Sequence, residues 1–378
     1  HNEAFFQKND ILNYLKLRYS IGNPGNANLN AKMANSVYTY STGYPNMFGL
    51  AALISSWGNT GLKWQRTNDQ NWGIDLEMFQ SRLRFTVDYF VKKTDPLLLN
   101  IDFPPSTGIS SVPMNIGAVK NKGVTFTGSY ILLRQEDFNW TVNANLRHIK
   151  TTYYNIGDLL EKYNEKGRTN QTLTRYYDGA SNTAMYAVRS AGIDPMTGNE
   201  IFIRKDGSYT YEWDSADEVI CGDTTPDVEG SFGTYVYWKG FSVNAIFSYR
   251  YGGQAQLSTL FNKVENISDT EIKYNQDKRA LYDRWQKPGD IAKFKRIDDT
   301  SKTNMSSRFI ADDNTLELTT LSVGYETTTA KWLQAVGASA FNVRIYGNNL
   351  FRLSTIKEER GIDYPFSRNI SASVGFRF

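Results

Sequence analysis

The sequence has 378 residues, a net charge of +3 and 14% aromatic residues. A charge so close to neutral gives no reason to expect nucleic acid or another strongly polyanionic partner. No apolar run approaches the length of about 18 residues that a membrane-spanning helix needs, so a helical membrane protein is excluded. A transmembrane β-barrel is not excluded, because only alternate residues of its strands face lipid.

Alternation of apolar and polar residues with a period of two predicts long β-strands in several segments. In the segment that begins at Trp140, the even-numbered residues through Leu146 are apolar and the odd-numbered residues through Arg147 are polar. The segments from Leu83 and from Ile370 alternate in the same way, as does the segment from Phe241, which places Arg250 on the polar face. Each run covers about ten residues, which suits membrane strands of about 9–11 residues better than soluble strands of about 5–6.

The strands predicted in this way number ten, and their connections alternate between short and long. Such alternation is typical of an outer-membrane barrel with tight periplasmic turns and large external loops. We therefore predict an all-β, antiparallel transmembrane barrel. The strands are predicted at about 12–22, 62–79, 82–98, 118–134, 138–154, 229–239, 241–256, 314–327, 340–353 and 369–378. The long extracellular loops are predicted at about 23–61, 99–117, 155–228, 257–313 and 354–368.

The strand pattern alone leaves two architectures open, a complete ten-stranded barrel and part of a larger one. Ten strands can close by themselves, although their interior is narrow. The chain starts HNEAFFQKND, with neither an initiator Met nor a signal peptide. Because an outer-membrane protein must be exported, we expect the sequence to start after processing or inside a longer polypeptide.

Residues that support catalysis or metal binding are scarce. The histidines are His1 and His148, and the single cysteine is Cys221. His148 falls at a lipid-facing position, so we interpret it as an interfacial residue and not as a ligand. The Asp pairs at 298–299 and 312–313 have the chemistry to bind calcium, but solvated turns are the favoured interpretation. We therefore predict no enzyme activity, no cofactor and no metal site.

An ordered set of short motifs covers nearly the whole chain. The motifs are Leu62-Lys63-Trp64, Asn115–Gly123, Ala191–Gly198, Gly222–Pro226, Ser307–Phe309, Leu321–Tyr325, Gly347–Phe351 and Tyr364–Arg368. Together they resemble the C-terminal barrel portion of SusC-like TonB-dependent outer-membrane transporters of Bacteroidetes. The chain departs from that pattern at Gln65, where the family usually has Glu, and at Ser373, where many barrels have Gly.

The resemblance implies that these ten strands belong to a barrel of 22, whose plug and remaining strands lie elsewhere. It further implies TonB-dependent import of an oligomeric nutrient, a glycan or a peptide, across the outer membrane. A SusD-like surface lipoprotein and TonB, acting through the plug, would be the partners. The main alternative is an autonomous ten-stranded passive porin or adhesin; a barrel enzyme and a soluble lectin-like domain are further alternatives.

Substrate binding, on this reading, is expected in the external loops and the upper lumen. Flat aromatic rings can stack on sugar faces or hold peptide side chains. Packing of one loop against another is the competing interpretation of every such ring. The candidates are Trp57, Tyr176, Tyr177, Tyr209, Tyr211, Trp213, Trp285 and Tyr364.

Overall fold

The computed structural model of the chain describes residues 11–26, 31–103, 106, 108, 111–268, 270–357, 359 and 368–378. Strands dominate these residues, and we number them β1 to β19 in chain order. Among these residues, no helix is long and apolar enough to cross a membrane.

Ten long strands form one antiparallel sheet, in which each long strand pairs with the next long strand along the chain. The prediction of an all-β antiparallel barrel portion with ten long strands is confirmed. The observed bounds differ from the predicted ones by four residues at most. The ten strands are β1 (Leu12–Gly22), β5 (Gln65–Met78), β6 (Leu83–Thr94), β9 (Ala118–Arg134), β10 (Phe138–Tyr154), β15 (Val228–Trp238), β16 (Phe241–Gln256), β17 (Ile310–Thr327), β18 (Ala340–Ser354) and β19 (Asn369–Arg377).

The sheet is open in the described part of the chain. Strand β1 pairs with β5, and β19 pairs with β18, but no ladder joins β1 to β19. A sheet closed into a ten-stranded barrel would require that ladder. The described strands therefore form a curved wall with two edges.

The short connections use turn geometry that favours tight antiparallel hairpins. Lys239 and Gly240, between β15 and β16, both have positive φ angles, of 45° and 90°. Positive φ at both central residues is the feature of a type I′ turn, whose twist matches that of the flanking strands. The connection between β17 and β18 is longer and contains the helix α4 (Lys331–Ala335).

The long connections contain most of the remaining secondary structure. Most of their short strands pair into hairpins and one four-stranded sheet, whereas β2 (Gly25–Asn26) pairs with β5. The strands are β2 (Gly25–Asn26), β3 (Val37–Asn46), β4 (Gly49–Ser56), β7 (Leu98–Asp102), β8 (Ser111–Asn115), β11 (Ala184–Ile193), β12 (Glu200–Ile203), β13 (Tyr209–Thr210) and β14 (Glu218–Asp223). The helices are α1 (Ala31–Ala34), α2 (Glu161–Thr169) and α3 (Arg279–Tyr282), with a π-helix at Leu260–Glu265 and 3₁₀ turns at Gly157–Leu160, Ser215–Asp217 and Ser307–Phe309.

The buried hydrophobic clusters also lie largely in the long connections. The first is built around Phe261, Val264 and Phe309, and the second around Ile116 and Ile156. A wall one sheet thick cannot bury side chains by itself, whereas the connections fold over one another and can. The longest connections, predicted at 155–228 and 257–313, are thus packed structures with their own cores.

Candidate functional site

The two faces of the wall differ sharply in chemistry. Residues paired across antiparallel strands point to the same side, so the register assigns every residue to one face. One face, which we call the outer face, carries exposed apolar and aromatic side chains on every strand. A continuous apolar surface of this size requires an apolar partner, and lipid suits it. Examples are Leu17, Ile74, Tyr89, Tyr130, Trp140, Phe232, Val243, Val323, Ile345 and Val374.

The opposite face, which we call the inner face, carries ion pairs between neighbouring strands. Arg18 Nε lies 2.8 Å from Asp75 Oδ2, and Arg18 Nη2 lies 3.0 Å from Asp88 Oδ1. Lys92 Nζ lies 3.0 Å from Asp69 Oδ2. A charged interior is typical of a barrel whose lumen is filled with water or with a plug.

An inner cleft of about 530 Å³ extends across β10, β15, β16, β17 and β18. Three arginines and three acidic residues line it. Its lining residues are Asn145, Arg147, Glu229, Gly230, Ser248, Tyr249, Arg250, Asp313, Thr315, Glu317 and Arg352.

The charges of the inner cleft are arranged in pairs across strands. Arg147 Nε donates to Glu229 Oε1 at 2.9 Å, and Arg250 Nη1 donates to Asp313 Oδ2 at 3.1 Å. Glu317 lies directly opposite Arg352 in the register. Such a surface offers hydrogen-bond donors and acceptors of both charges to a polar ligand. The arrangement suits recognition of a hydrated, polar molecule.

A buried ion network joins the two longest connections. Arg308 Nη2 lies 2.9 Å from Glu200 Oε2 and 2.7 Å from Glu265 Oε1. Ser306 Oγ donates to Glu200 at 2.5 Å, and Thr303 Oγ1 donates to Glu265 at 3.0 Å. Burial opposes the charge on Arg308, but the two carboxylates outweigh it and raise the pKa of the guanidinium. The connections 155–228 and 257–313 are therefore held together as one unit.

Three of the aromatic residues predicted to bind substrate pack between loops. Trp285 is buried, its Nε1 donates to Pro195 O at 2.8 Å, and its ring occupies the space that a side chain at Gly198 would fill. Trp213 Nε1 donates to Met305 O at 3.0 Å. The Tyr176 ring contacts other tyrosines in the second hydrophobic cluster. The faces of these rings are largely covered by protein.

Other predicted residues present their rings to solvent. Trp57, Tyr209 and Tyr211 are exposed. Tyr211 also donates its hydroxyl proton to Asp194 Oδ2 at 2.8 Å, which fixes the direction of its ring. Tyr364 lies outside the described residues.

Tyr177 lies in a loop cleft of about 520 Å³. Its hydroxyl accepts a hydrogen bond from Arg168 Nη2 at 2.6 Å, and its ring lies 5.6 Å from that of Tyr186. The cleft is lined by Arg168, Tyr177, Tyr186, Lys205, Ser215, Ala216 and Glu218. Aromatic surface and positive charge therefore meet in this loop cleft, and Tyr177 is the predicted residue that it includes.

The residues considered for metal binding or redox chemistry make separate contacts in the structure. Asp313 accepts a hydrogen bond from Arg250, whereas Asp299 accepts a hydrogen bond from the Ser301 N–H at 2.9 Å. No group of three metal-ligating side chains occurs among the residues that the structure describes. Burial raises the pKa of the Cys221 thiol.

The arginines and acids of the inner cleft were missed by the reasoning from aromatic residues. A signal for them existed in the sequence. Arg147 and Arg250 were assigned to the polar face of their strands by the alternation alone. The clustering of Arg147 and Arg250 with Glu317 could not be predicted from the sequence, because it depends on the register of five strands.

An apolar outer face, a charged inner face and a sheet without a closing ladder define this chain as a portion of a transmembrane β-barrel. The comparisons with known proteins agree. No family model matches the sequence. The chain is 26% identical over 369 residues to TonB-dependent receptor P39 of Formosa agariphila, covering 85% of this chain and 35% of the receptor. It is 27% identical over 296 residues to TonB-dependent receptor SusC of Bacteroides thetaiotaomicron, covering 71% of this chain and 28% of SusC.

Solved structures with the same fold include the RagAB peptide transporter, with a TM-score of 0.83 and 23% identity. The match covers 99% of this chain and 42% of the transporter chain. The predicted resemblance to a barrel portion of SusC-like TonB-dependent transporters in the outer membrane is thereby confirmed. The chain spans about a third of the length of the curated relatives it matches. Their names describe receptors, which agrees with the prediction of a protein other than an enzyme.

Proposed function

We propose that this chain is a section of the wall of a TonB-dependent outer-membrane importer of oligomeric nutrients. The observation that carries the proposal is the open ten-stranded wall, which matches the RagAB peptide transporter over 99% of this chain. Two sheet edges in lipid would leave backbone groups without hydrogen bonds, at a cost of several kcal/mol for each group. Further strands are therefore needed to complete the barrel.

The inner cleft and the packed loops would handle the substrate in succession. Exposed rings at Trp57, Tyr209 and Tyr211, together with the cleft at Tyr177, would capture a sugar ring or an apolar peptide side chain. The charged inner cleft would then hold the polar parts of the same molecule. The substrate is an oligosaccharide or an oligopeptide, since both carry these two kinds of surface.

Two protein partners follow from the resemblance to SusC and are part of the proposal. A SusD-like lipoprotein would cover the external loops and retain the captured oligomer. TonB would act on the plug of the complete transporter and open the lumen. Outer-membrane lipid would contact the apolar outer face described above.

Uptake by cells that carry the complete transporter provides the test. Labelled oligosaccharides and oligopeptides would be offered to cells with and without functional TonB, and with the transporter gene deleted. The expected result is uptake of one substrate class that disappears in both mutant strains. Uptake that requires the transporter but persists without TonB would contradict active import and favour a passive pore.

Variants of the inner cleft separate substrate handling from assembly. The double variant Arg147→Gln/Arg250→Gln should lower uptake several-fold while the amount of folded transporter in the membrane is unchanged. Lys239→Gln, in a short turn far from the cleft, is the control of similar chemistry.

The alternative of an autonomous porin has its own test. Refolded alone in detergent, this chain would have to give a heat-modifiable closed barrel.

A further inference from the structure

A basic patch lies on the outer face of the wall, at the end near the long connections. Lys122 of β9 is paired with Lys150 of β10, and Lys93 of β6 is paired with Lys120 of β9. All four side chains are exposed. The register assigns all four to the same face as the apolar residues further along these strands. We call these four residues the outer lysine patch.

The depth of the patch follows from the length of the apolar stretch on β10. The outer-face positions from Phe138 to His148 span eleven residues. A tilted strand needs about 9–11 residues to cross the hydrocarbon core. Lys150 is the next outer-face residue beyond His148. It therefore lies where the hydrocarbon ends and the headgroups begin.

An aromatic row marks the same boundary on the neighbouring strands. The ring of Tyr19 lies 5.4 Å from that of Trp72, which lies 5.6 Å from that of Tyr89. Tyr89 pairs with Val124, and Val124 pairs with His148, so these residues form one row across five strands. Tyr and Trp concentrate at the membrane–water interface. The outer lysine patch starts one outer-face position above this row, about 7 Å further along the strands.

Protein carboxylates do not neutralise most of this charge. Lys93 Nζ lies 3.1 Å from Asp95 Oδ2. In the described part of the chain, no carboxylate lies within 4.0 Å of the amino groups of Lys120, Lys122 or Lys150. Like charges on adjacent strands destabilise a sheet when nothing compensates them. The patch therefore favours an anionic ligand.

A cleft of about 530 Å³ lies beside the patch and gives such a ligand a place to sit. The Lys93 amino group lies 4.9 Å from the centre of the Tyr154 ring, which closes one side. The lining residues are Asn68, Gln70, Val91, Lys93, Lys120, Thr152, Tyr153, Tyr154 and Gly179. Amides, hydroxyls and rings next to ammonium groups suit a phosphorylated sugar better than a bare ion.

We propose that the outer lysine patch binds the phosphorylated sugar headgroup of lipid A, the glycolipid anchor of lipopolysaccharide in the outer leaflet. The acyl chains would lie along the apolar outer face below the aromatic row, and the phosphates would meet Lys120, Lys122 and Lys150. The inference rests on the predicted outward orientation of the long connections. It does not depend on import, which can fail or succeed independently.

Native mass spectrometry of the complete transporter in detergent tests the proposal. Diphosphoryl lipid A, dephosphorylated lipid A and inorganic phosphate would each be titrated separately. The test variant is Lys122→Gln/Lys150→Gln. The control is Lys239→Gln/Lys331→Gln, which removes the same charge from exposed positions in the connections at the opposite end of the wall. Elution and heat-modifiability would verify that each variant is folded.

The expected loss of affinity for diphosphoryl lipid A is roughly fivefold for each lysine removed, hence about 25-fold for the test variant. The control should bind as wild type does, and dephosphorylated lipid A should bind weakly to all three proteins. Equal binding of diphosphoryl lipid A to test variant and wild type would overturn the proposal. So would a loss confined to the control, or inorganic phosphate that binds as tightly as lipid A.

Discussion

Removal of the Arg308 side chain should open the two longest connections while the wall stays folded. The Arg308 side chain is 12% exposed, and the side chains of Glu200 and Glu265 are 6% and 0% exposed. Arg308→Ala would leave two buried carboxylates with hydroxyl donors as their main remaining partners. Loss of one member of a buried ion pair costs about 3–5 kcal/mol. The free energy needed to open the connections locally should therefore fall by about that amount.

Hydrogen exchange in the complete transporter measures this change directly, segment by segment. Amides of 184–203 and 260–309 should lose protection by a factor of about 150 to 5,000, and those of β5, β6 and β9 should not change. Arg296→Ala is the matched control, because Arg296 pairs with the exposed Asp298 and its loss should leave exchange unaltered. The triple variant with Arg308→Met and Gln in place of both glutamates should recover much of the protection. Unchanged exchange in Arg308→Ala would refute the view that this network joins the connections.

Two further predictions concern a loop carboxylate and a wall glycine. The side chain of Arg279 lowers the pKa of Asp277 to about 2. That ion pair should contribute about 2 kcal/mol to the stability of the folded loop above pH 4, and this contribution should disappear as the pH falls through 2. Hydrogen exchange at graded pH should detect the loss in wild type but not in Asp277→Asn. At Gly73, an added Cβ would lie 2.6 Å from atoms of Arg18 and Asp88. Because those side chains can move aside, Gly73→Ala should still fold and lose only about 1 kcal/mol in urea unfolding; failure to fold would contradict this.

The wall was predictable from sequence because its two faces have different solvents. Alternation around Trp140 and Phe241 reflects lipid on one side and a polar lumen on the other, and this pattern is local in sequence. The observed strands at Phe138–Tyr154 and Phe241–Gln256 accordingly match the predicted ranges. Register between neighbours then follows from the short turns.

The roles of the loop aromatics were not predictable, since a ring that packs and a ring that binds have the same local pattern. Trp285 is buried because Gly198, 87 positions earlier, lacks a side chain and Pro195 offers a carbonyl. Tyr209 lies in the same connection as Gly198, yet its ring is exposed. Contacts between residues far apart in the sequence decide whether a loop ring is buried or exposed. The periodicity of a segment carries no information about such contacts.

The network around Arg308 also constrains how these loops can change during evolution. A transporter that acquires a new connection 155–228 by recombination also acquires a new residue opposite Arg308, because Glu200 comes from that connection. If the incoming residue lacks a carboxylate, the resident connection 257–313 keeps an arginine that was matched to two acids. Hybrids that exchange both connections together avoid this mismatch. The two loops should therefore be inherited as one module, even though β15 and β16 (Val228–Gln256) separate them along the chain.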